Sequence, residues 1–305
     1  MISFRYHLVS LICVFLGIAL GVVIGTAALN GAVVGDLRRQ NTDLKATAAA
    51  RADQNQALQA KGNAANELAQ AFGARISNKA LAGKKVVLVG LPGATKAMKE
   101  AIGNQITAAG GSVNGSVQLS KDFDDPRRGN DIQSLATSGA HPITLQLPQT
   151  DNPGTLAGSL LGFVLLGHGS ATDLTTVLAG FNTLNMLQVD SGATTGSNAA
   201  VLVGAGGLPK ADEGGAMLLS FITQFGTQGG PTVVAGDAAS ADNNGVVGLV
   251  RSDGSAQKAV STVDDADTSL GQLTVALTVA DTLAGRKGNY GAANGADALL
   301  PGLSS

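Results

Sequence analysis

The sequence predicts an α/β protein with an N-terminal transmembrane helix, a helical coiled-coil-like stalk and a Rossmann-like domain whose mostly parallel sheet carries helices on both faces. Three observations predict this class. An uncharged apolar run comes first, a polar stretch without Pro follows it, and short apolar runs then alternate with helical patterns. The expected parts are a tail at 1–7, the membrane helix at 8–29, the stalk at 30–76 and an exported α/β domain at 77–305.

The apolar run from Leu8 to Leu29 is long enough to cross a membrane. As a helix it spans about 33 Å, against a hydrocarbon layer of about 30 Å. The small residues 26–28 also permit a cleaved secretory signal, but the apolar part of such signals is only about 7 to 15 residues long. We therefore expect a retained anchor, and in either case export of the rest of the chain.

Three glycines recur at four-residue spacing inside this run. Gly17, Gly21 and Gly25 share one face of a helix, where small residues let two membrane helices approach closely. They are the candidate helix-packing residues, and self-association through them is one interpretation. The other is that Gly is simply frequent here, as it is in many membrane helices.

The stalk has a weak heptad pattern. Its candidate seam consists of Leu37, Leu44, Leu58, Ala65 and Phe72, which fall at seven-residue intervals interrupted by Arg51, together with Leu68 at an intervening position. The other intervening positions are small or polar. A single polar helix of this kind is marginal alone, so it needs a partner. One interpretation is a parallel stalk of paired helices that continues the membrane helix. The alternative is a single linker helix that lies on the membrane or on its own domain.

The α/β domain begins with a β-α-β pattern. Strands are expected at 86–89 and 113–119, with a helix between them whose apolar face carries Ile102 and whose opposite face carries Lys96, Lys99 and Glu100. The stretch 122–153 is expected to be a loop, short helix or insertion. Further strands are expected at 160–166, 199–203, 232–235 and 260–263, and further helices at 217–225 and 270–284, with Ser269 and Gln272 at capping-box spacing.

Composition excludes several function classes. A formal net charge of −2 does not fit a basic nucleic-acid binder, and a single cysteine, Cys13, allows neither an intrachain disulfide nor a CxxC motif. The glycine clusters at 90–93 and 204–207 lack the order of dinucleotide and phosphate loops, because Pro209 and Ala211 stand where the latter needs Gly and Ser or Thr. The sequence therefore predicts no cofactor.

Two histidines, one serine and three aspartates are candidates for catalysis or metal binding. His168 and Ser170 lack a nucleophile-elbow motif, and only His141 could join them as another base, so structural roles are favoured and no catalytic residue is predicted. Asp264, Asp265 and Asp267 lack the spacing of a calcium loop and precede a helix, which favours a role at the start of that helix. The metal site stays unknown, because Met98, Met186 and Met217 are isolated and copper(I) prefers clustered soft ligands.

The start MISFRYHLVSLICVFLGIALGVVIG and the Arg- and Gln-rich stalk resemble the actinobacterial copper transporter family typified by mycobacterial copper transport protein B. The segments 260–264, 271–285 and 290–291 and the closing Leu299-Leu300-Pro301 are similar to that family too, so the resemblance covers nearly the whole chain. It implies a role in copper resistance, with copper as the transported species, in a pore-forming component of the mycobacterial outer membrane. It carries no residue-level copper site.

The predicted strands and the single predicted membrane helix limit how this chain could form the implied pore. Membrane barrels consist of segments of about ten residues that alternate apolar and polar, whereas the strands expected here are short, continuous and apolar. One anchoring helix cannot enclose a channel. We therefore expect a pore, if present, to arise from a homo-oligomer. We favour an inner-membrane anchor with an exported domain, and the outer membrane remains the placement that the resemblance implies.

Overall fold

A computed structural model describes residues 4–138, 141–192, 196–208 and 214–302, without the side chains of 4–5, 27–34 and 214. The chain divides into two compact units, Met1–Ala64 and Ala65–Ser305. The first helix, α1, runs over Phe4–Ser77 and so begins in the first unit and ends in the second. The first unit is helical throughout its described part, and the second contains the sheet.

The second unit alternates strands and helices from Lys85 onward. In chain order the elements are β1 (Lys85–Gly90), α2 (Lys96–Ala108), β2 (Ser112–Leu119), α3 (Gly129–Thr137), α4 (Pro153–Leu165), α5 (Ala171–Thr183), β3 (Leu187–Ser191), β4 (Ala199–Val203), α6 (Gly214–Gly229), β5 (Thr232–Ala235), α7 (Val246–Ser252), α8 (Gly254–Ala259), β6 (Ser261–Val263), α9 (Ser269–Leu283) and β7 (Asn289–Tyr290). Short 3₁₀ turns lie at Pro126–Arg128 and Ala238–Ala241.

The seven strands form one sheet in the order β3-β2-β1-β4-β5-β6-β7. All neighbouring pairs are parallel except β2 with β3, which is antiparallel. Strands β2 and β3 lie on one side of β1, and β4 to β7 lie on the other side. The direction in which strands are added therefore reverses between β1 and β4. The predicted Rossmann-like, mostly parallel sheet is confirmed.

Helices cover both faces of the sheet because its central strands are apolar on both sides. Val86 and Leu88 of β1 face a core built with α2 and α9. Val87 and Val89 alternate with them and face the larger core, to which helices α3 to α8 contribute. Because alternate residues of β1 face opposite sides of the sheet, one short run of aliphatic residues contributes to both cores.

Residues 160–166, expected to be a strand, lie instead in helix α4 and its C-cap. A continuous apolar run of this length does not distinguish a buried strand from a buried helix. The helix begins at Pro153 after the N-cap Asn152, whose side chain accepts a hydrogen bond from the Thr155 N–H at 3.0 Å. Pro at the first helical position after an Asn cap was the available signal.

Three glycines of α4 let its backbone pack directly against the backbone of α6. A Cβ on Gly158 would lie 2.5 Å from the Phe221 carbonyl oxygen, and one on Gly162 would lie 2.9 Å from that of Phe225. Gly154 meets the Met217 carbonyl in the same way. Spaced four residues apart, these glycines form a flat face that lets the two helix backbones touch.

Two predicted details of the helices are wrong. Lys99 is buried rather than exposed on α2, and its Nζ lies 2.5 Å from Asp190 Oδ2 and 2.7 Å from Gln118 Oε1. Asp190 belongs to β3, which was not predicted. The cap of α9 is Thr268, which accepts from the Gly271 N–H at 3.0 Å, so Ser269 is the first helical residue and forms no capping box with Gln272.

Candidate functional site

The segment Tyr6–Thr26 of α1 is long and apolar enough to cross a membrane, with a mean hydropathy of 2.8 and none of its residues buried. Its Leu, Ile, Val and Phe side chains are all largely exposed. A helix that is apolar on every side and covered by nothing requires an apolar surrounding, because exposing this surface to water is unfavourable. The predicted membrane helix has the surface it needs.

The three candidate helix-packing glycines lie on this segment with free space around them. A Cβ on Gly17, Gly21 or Gly25 meets no atom within 4 Å. This contrasts with Gly154, Gly158 and Gly162, the same four-residue pattern in α4, which is filled by the α6 backbone. The three glycines are thus exposed on this segment, at the four-residue spacing that α4 uses for close packing.

The candidate seam of the stalk is exposed in the first unit. Leu37, Leu44 and Leu58 are 58%, 70% and 58% exposed. Leucines exposed at seven-residue multiples on a long helix are typical of a surface that a second helix covers. Polar residues separate them along α1, so each leucine is an isolated contact rather than part of a continuous patch.

The last turns of α1 dock onto α9 within the second unit. Asn66 Oδ1 accepts from the Leu270 N–H at 3.2 Å, and Gln70 Nε2 donates to Ser269 Oγ at 2.8 Å. Ala69 is buried against Leu273 and Leu277 of α9. Small and polar residues, rather than the predicted seam, therefore make this contact.

The remaining seam residues line a groove beside this contact. The groove has a volume of about 710 Å³ and is lined by Ala65, Leu68, Ala69, Phe72, Arg75 and Ile76 of α1 with Leu270, Leu273 and Leu300. Leu68, Phe72 and Ile76 are 60%, 45% and 44% exposed. We call this feature the α1–α9 groove. Its walls are apolar apart from the one cationic side chain, Arg75.

Asp264 does not act at the start of α9, contrary to the expectation from sequence. It is buried at the end of β6, and its Oδ2 lies 2.8 Å from Arg251 Nη1. Its carboxylate also accepts from the backbone N–H groups of Ala292 and Ala293. Arg251 in turn donates to the Tyr290 carbonyl at 2.8 Å. The pair fastens the C-terminal loop to the edge of the sheet.

The other two aspartates differ from Asp264. Burial, followed by a hydrogen bond with Asp264, raises the pKa of Asp265 to about 6. Its backbone has a φ of 56°, in the left-handed region that Asp tolerates better than most residues. Asp267 is exposed. One carboxylate of the three is therefore ion-paired, one shares a hydrogen bond with it, and one faces solvent.

His168 and Ser170 have structural partners. His168 Nε2 lies 3.0 Å from the Gly229 carbonyl oxygen, and its ring lies beside Phe163. Ser170 is the N-cap of α5 and forms a capping box with Asp173. His141 lines a separate polar cavity of about 1200 Å³ next to α3, where its buried Nδ1 has no hydrogen-bond partner among the described residues. The favoured structural interpretation of His168 and Ser170 fits these contacts.

Potential metal ligands are dispersed. Among the described residues, no three or more His, Cys, Asp or Glu side chains come together in a group that could hold a metal ion. Cys13 is exposed on the membrane segment, whereas Met98, Met186 and Met217 are buried. Of the glycine cluster at 204–210, residues 204–208 form an ordinary loop after β4, and Pro209, Lys210 and Ala211 lie outside the described residues.

Comparison with known proteins identifies the family. A family model described as "Copper transport outer membrane protein, MctB" matches residues 1–301. The chain belongs to the MctB family. The copper transporter MctB of Mycobacterium tuberculosis strain H37Rv is 32% identical over 97% of this chain and 98% of its own length. The protein of the same name from Mycobacterium leprae is 32% identical over 98% of this chain and 99% of its own length.

Membership of the MctB family confirms the resemblance noted in the sequence, and the match includes the apolar N-terminal segment. Two features of the site were not predicted. The contribution of Arg251 was missed because it joins residues distant in sequence. The α1–α9 groove was missed because it needs Leu270 and Leu300, which the heptad pattern does not contain. Exposed apolar residues near the end of the stalk were its only sequence signal.

Proposed function

We propose that this MctB-family chain is a membrane-anchored protein of the cell envelope that supports copper efflux and copper resistance as a homo-oligomer. The observation that carries the proposal is the likeness to proteins named copper transporters over 97% of the chain, the apolar helix included. The likeness thus extends over the proposed anchor, stalk and α/β domain. A non-enzymatic role agrees with the family's description.

The topology we propose places 8–29 in the membrane, 30–76 in a stalk whose last turns dock on the domain, and 77–305 outside. Export of the long C-terminal part is the simpler arrangement for a chain whose described part contains one helix of membrane-spanning length, near its start. We favour the inner membrane because a single helix of this kind is an ordinary inner-membrane anchor. The family's description names the outer membrane, which is the alternative.

Oligomerisation is part of the proposal because one helix cannot enclose a channel. Two open surfaces support it: the face of Gly17, Gly21 and Gly25, and the exposed leucines of the stalk. Assembly of several copies around an axis would bury both surfaces. Copper is the transported species in this scheme, not a resident cofactor.

A gene deletion with complementation tests the proposal. Deleting the gene should raise intracellular copper and copper sensitivity, and the full chain should restore both. Total copper is measured by mass spectrometry, with zinc and nickel as controls for specificity. A variant without residues 1–29 should fail to complement. Unchanged copper content and unchanged sensitivity in the deletion strain would overturn the copper role.

A second candidate is a scaffolding protein of the envelope with an indirect effect on copper. The dispersed potential ligands favour it, because the described part of the chain contains no grouped metal site. Reconstituting the full chain in liposomes that contain a copper-sensitive dye separates the two candidates. Copper entry that depends on the protein supports transport, whereas a deletion phenotype without any flux supports the scaffold.

A further inference from the structure

The α1–α9 groove has an apolar floor and walls but no occupant from the described part of the chain. Leu68 and Phe72 of α1 form one side of it, and Leu270 and Leu300 contribute the other. Leu68, Phe72 and Ile76 each leave about half of their surface in solvent. An apolar strip of this kind, continued by further apolar side chains along the same helix, marks an interaction surface.

The groove is open because α9 packs on a different side of α1. Asn66, Ala69 and Gly73 face α9. In the heptad that begins at Leu37, the positions that would face a partner helix in this region are Ala65, Leu68, Phe72 and Arg75, and all four line the groove. These partner-facing positions, the a and d positions of the heptad, therefore stay free in this region, while the adjacent side of α1 is already buried against α9.

The area of the groove bears on the size of its partner. Leu68, Phe72 and Ile76 together leave on the order of 300 Å² of apolar surface, whereas a stable interface buries about 800 Å² on each partner. The groove is therefore one part of a larger contact. Leu37, Leu44 and Leu58 stand at multiples of seven residues before Phe72 and are exposed as well. An occupant of the groove therefore needs further contact elsewhere on the chain.

A second copy of α1 meets this requirement. Copies anchored by the same segment in one membrane run in the same direction, and each residue lies at the same distance from the membrane in every copy. Identical heptad positions therefore face each other in register. Confinement to the membrane also raises their effective concentration, which offsets a seam of isolated leucines in which Arg51, Lys61 and Arg75 lie opposite their own copies. Leu270 and Leu300 then supply apolar contact that the heptad itself lacks.

We infer that the α1–α9 groove seats the α1 helix of a second copy of this chain, in parallel and in register, so that α9 and the C-terminal Leu300 complete the interface. The inference rests on the proposed self-association and adds to it the surface that is used. Each copy both fills the groove of its partner and offers its own.

Cysteine cross-linking in native membranes tests the geometry, because Cys13 is the chain's one native cysteine. In a Cys13→Ser background of the full chain, Leu68→Cys and Phe72→Cys should form disulfide-linked dimers on mild oxidation. Ala74→Cys, which is exposed on the opposite side of the helix, is the matched control and should cross-link at least ten-fold less. Equal or stronger cross-linking at residue 74 would overturn the inference.

A second pair of variants tests the contribution of Leu300. Leu300→Glu should reduce cross-linking at residue 68 at least five-fold, whereas Leu299→Glu should not, because Leu299 is exposed and does not line the groove. Resistance to proteolysis checks that both variants fold. Unchanged cross-linking in Leu300→Glu would show that the helices pair without the groove, which overturns the inference and leaves self-association intact. Monomers in light scattering of the detergent-solubilised chain, with no cross-link at any position, would overturn both.

Discussion

Arg251 and Asp264 form an ion pair inside the second unit, with Nη1 2.8 Å from Oδ2 and side-chain exposures of 4% and 0%. Arg251 lies on α7, Asp264 follows β6, and both hold the loop after β7, Arg251 through the Asn294 carbonyl and Asp264 through the Ala292 N–H. Because both charges are withdrawn from water, each depends on the other and on these hydrogen bonds for compensation. The pair thus joins three distant parts of the sequence.

Breaking this pair should destabilise the fold strongly. Arg251→Met leaves the buried Asp264 carboxylate without its cation, and we expect a loss of about 3 to 5 kcal/mol in the free energy of unfolding. Pulse proteolysis of the full chain in detergent, over a urea series, measures it. Arg127→Met is the control, because Arg127 pairs with Asp125 at the surface, where solvent screens the pair and its loss changes stability little. Equal losses in the two variants would contradict the assignment.

Asp265→Asn should stabilise the chain at neutral pH and not in acid. The pKa of Asp265 is about 6 when folded against a reference of 3.8, so the folded chain binds this proton more tightly. Stability from the protonated carboxyl is therefore complete below about pH 4 and is lost as the pH rises through about 6. The amide of Asp265→Asn stays neutral at every pH, so the variant keeps this stability at neutral pH. Solvent screening limits the gain in the free energy of unfolding to about 1 kcal/mol.

The measurement for Asp265→Asn is the urea midpoint of the full chain at pH 4 and at pH 8. The variant should exceed the parent protein at pH 8, and the difference should vanish at pH 4. Asp267→Asn is a suitable control because Asp267 is exposed. The same gain at both pH values would show that the effect does not come from titration.

A methyl group at Gly158 should separate α4 from α6. Its Cβ would stand 2.5 Å from the Phe221 carbonyl oxygen, so Gly158→Ala forces the helix backbones apart. We expect a loss of about 1 to 3 kcal/mol, which is typical of overpacking in a well-packed core. Gly254→Ala is the control, because a Cβ there meets no atom within 4 Å. Thermal unfolding should show a lower Tm for the first variant and little change for the second.

A bulky residue in the glycine face of the membrane segment should weaken association. Gly21→Ile places a branched side chain where two helices would approach, and we expect at least a five-fold lower dimer fraction in membranes. Ala19→Ile adds a similar side chain on the opposite side of the helix and should have little effect. Energy transfer between labelled copies measures the fraction. A decrease of the same size in both variants would point to general damage to insertion.

The alternation of strands and helices was readable from the sequence because local patterns set it. Val86–Val89 and Val201–Val203 are runs of β-branched and aliphatic residues bounded by glycine, and α2 and α6 carry apolar stripes at helical spacing. Residues 160–166 were misread because α4 is buried almost all round, which removes the helical period. The edge strand β3 was missed because its residues are mostly polar.

The long apolar helix and the shared side of Gly17, Gly21 and Gly25 were predictable from residues close in sequence. The buried contacts were not, since Lys99 meets Asp190 and Arg251 meets Asp264 only once the sheet has formed. A charged residue on an otherwise amphipathic helix carries no local sign that it will be buried. The α1–α9 groove likewise combines two segments about 200 residues apart, which no periodicity can relate.

The two borders of the sheet bear on how crowded copies behave. At one border β3 is short and mostly polar, with Asp190 tied back to Lys99, and at the other β7 has only two residues. Short, charged borders discourage strands of neighbouring molecules from adding to the sheet. Where copies of the chain are concentrated, such borders therefore disfavour fibre-like growth by edge-to-edge pairing of their sheets.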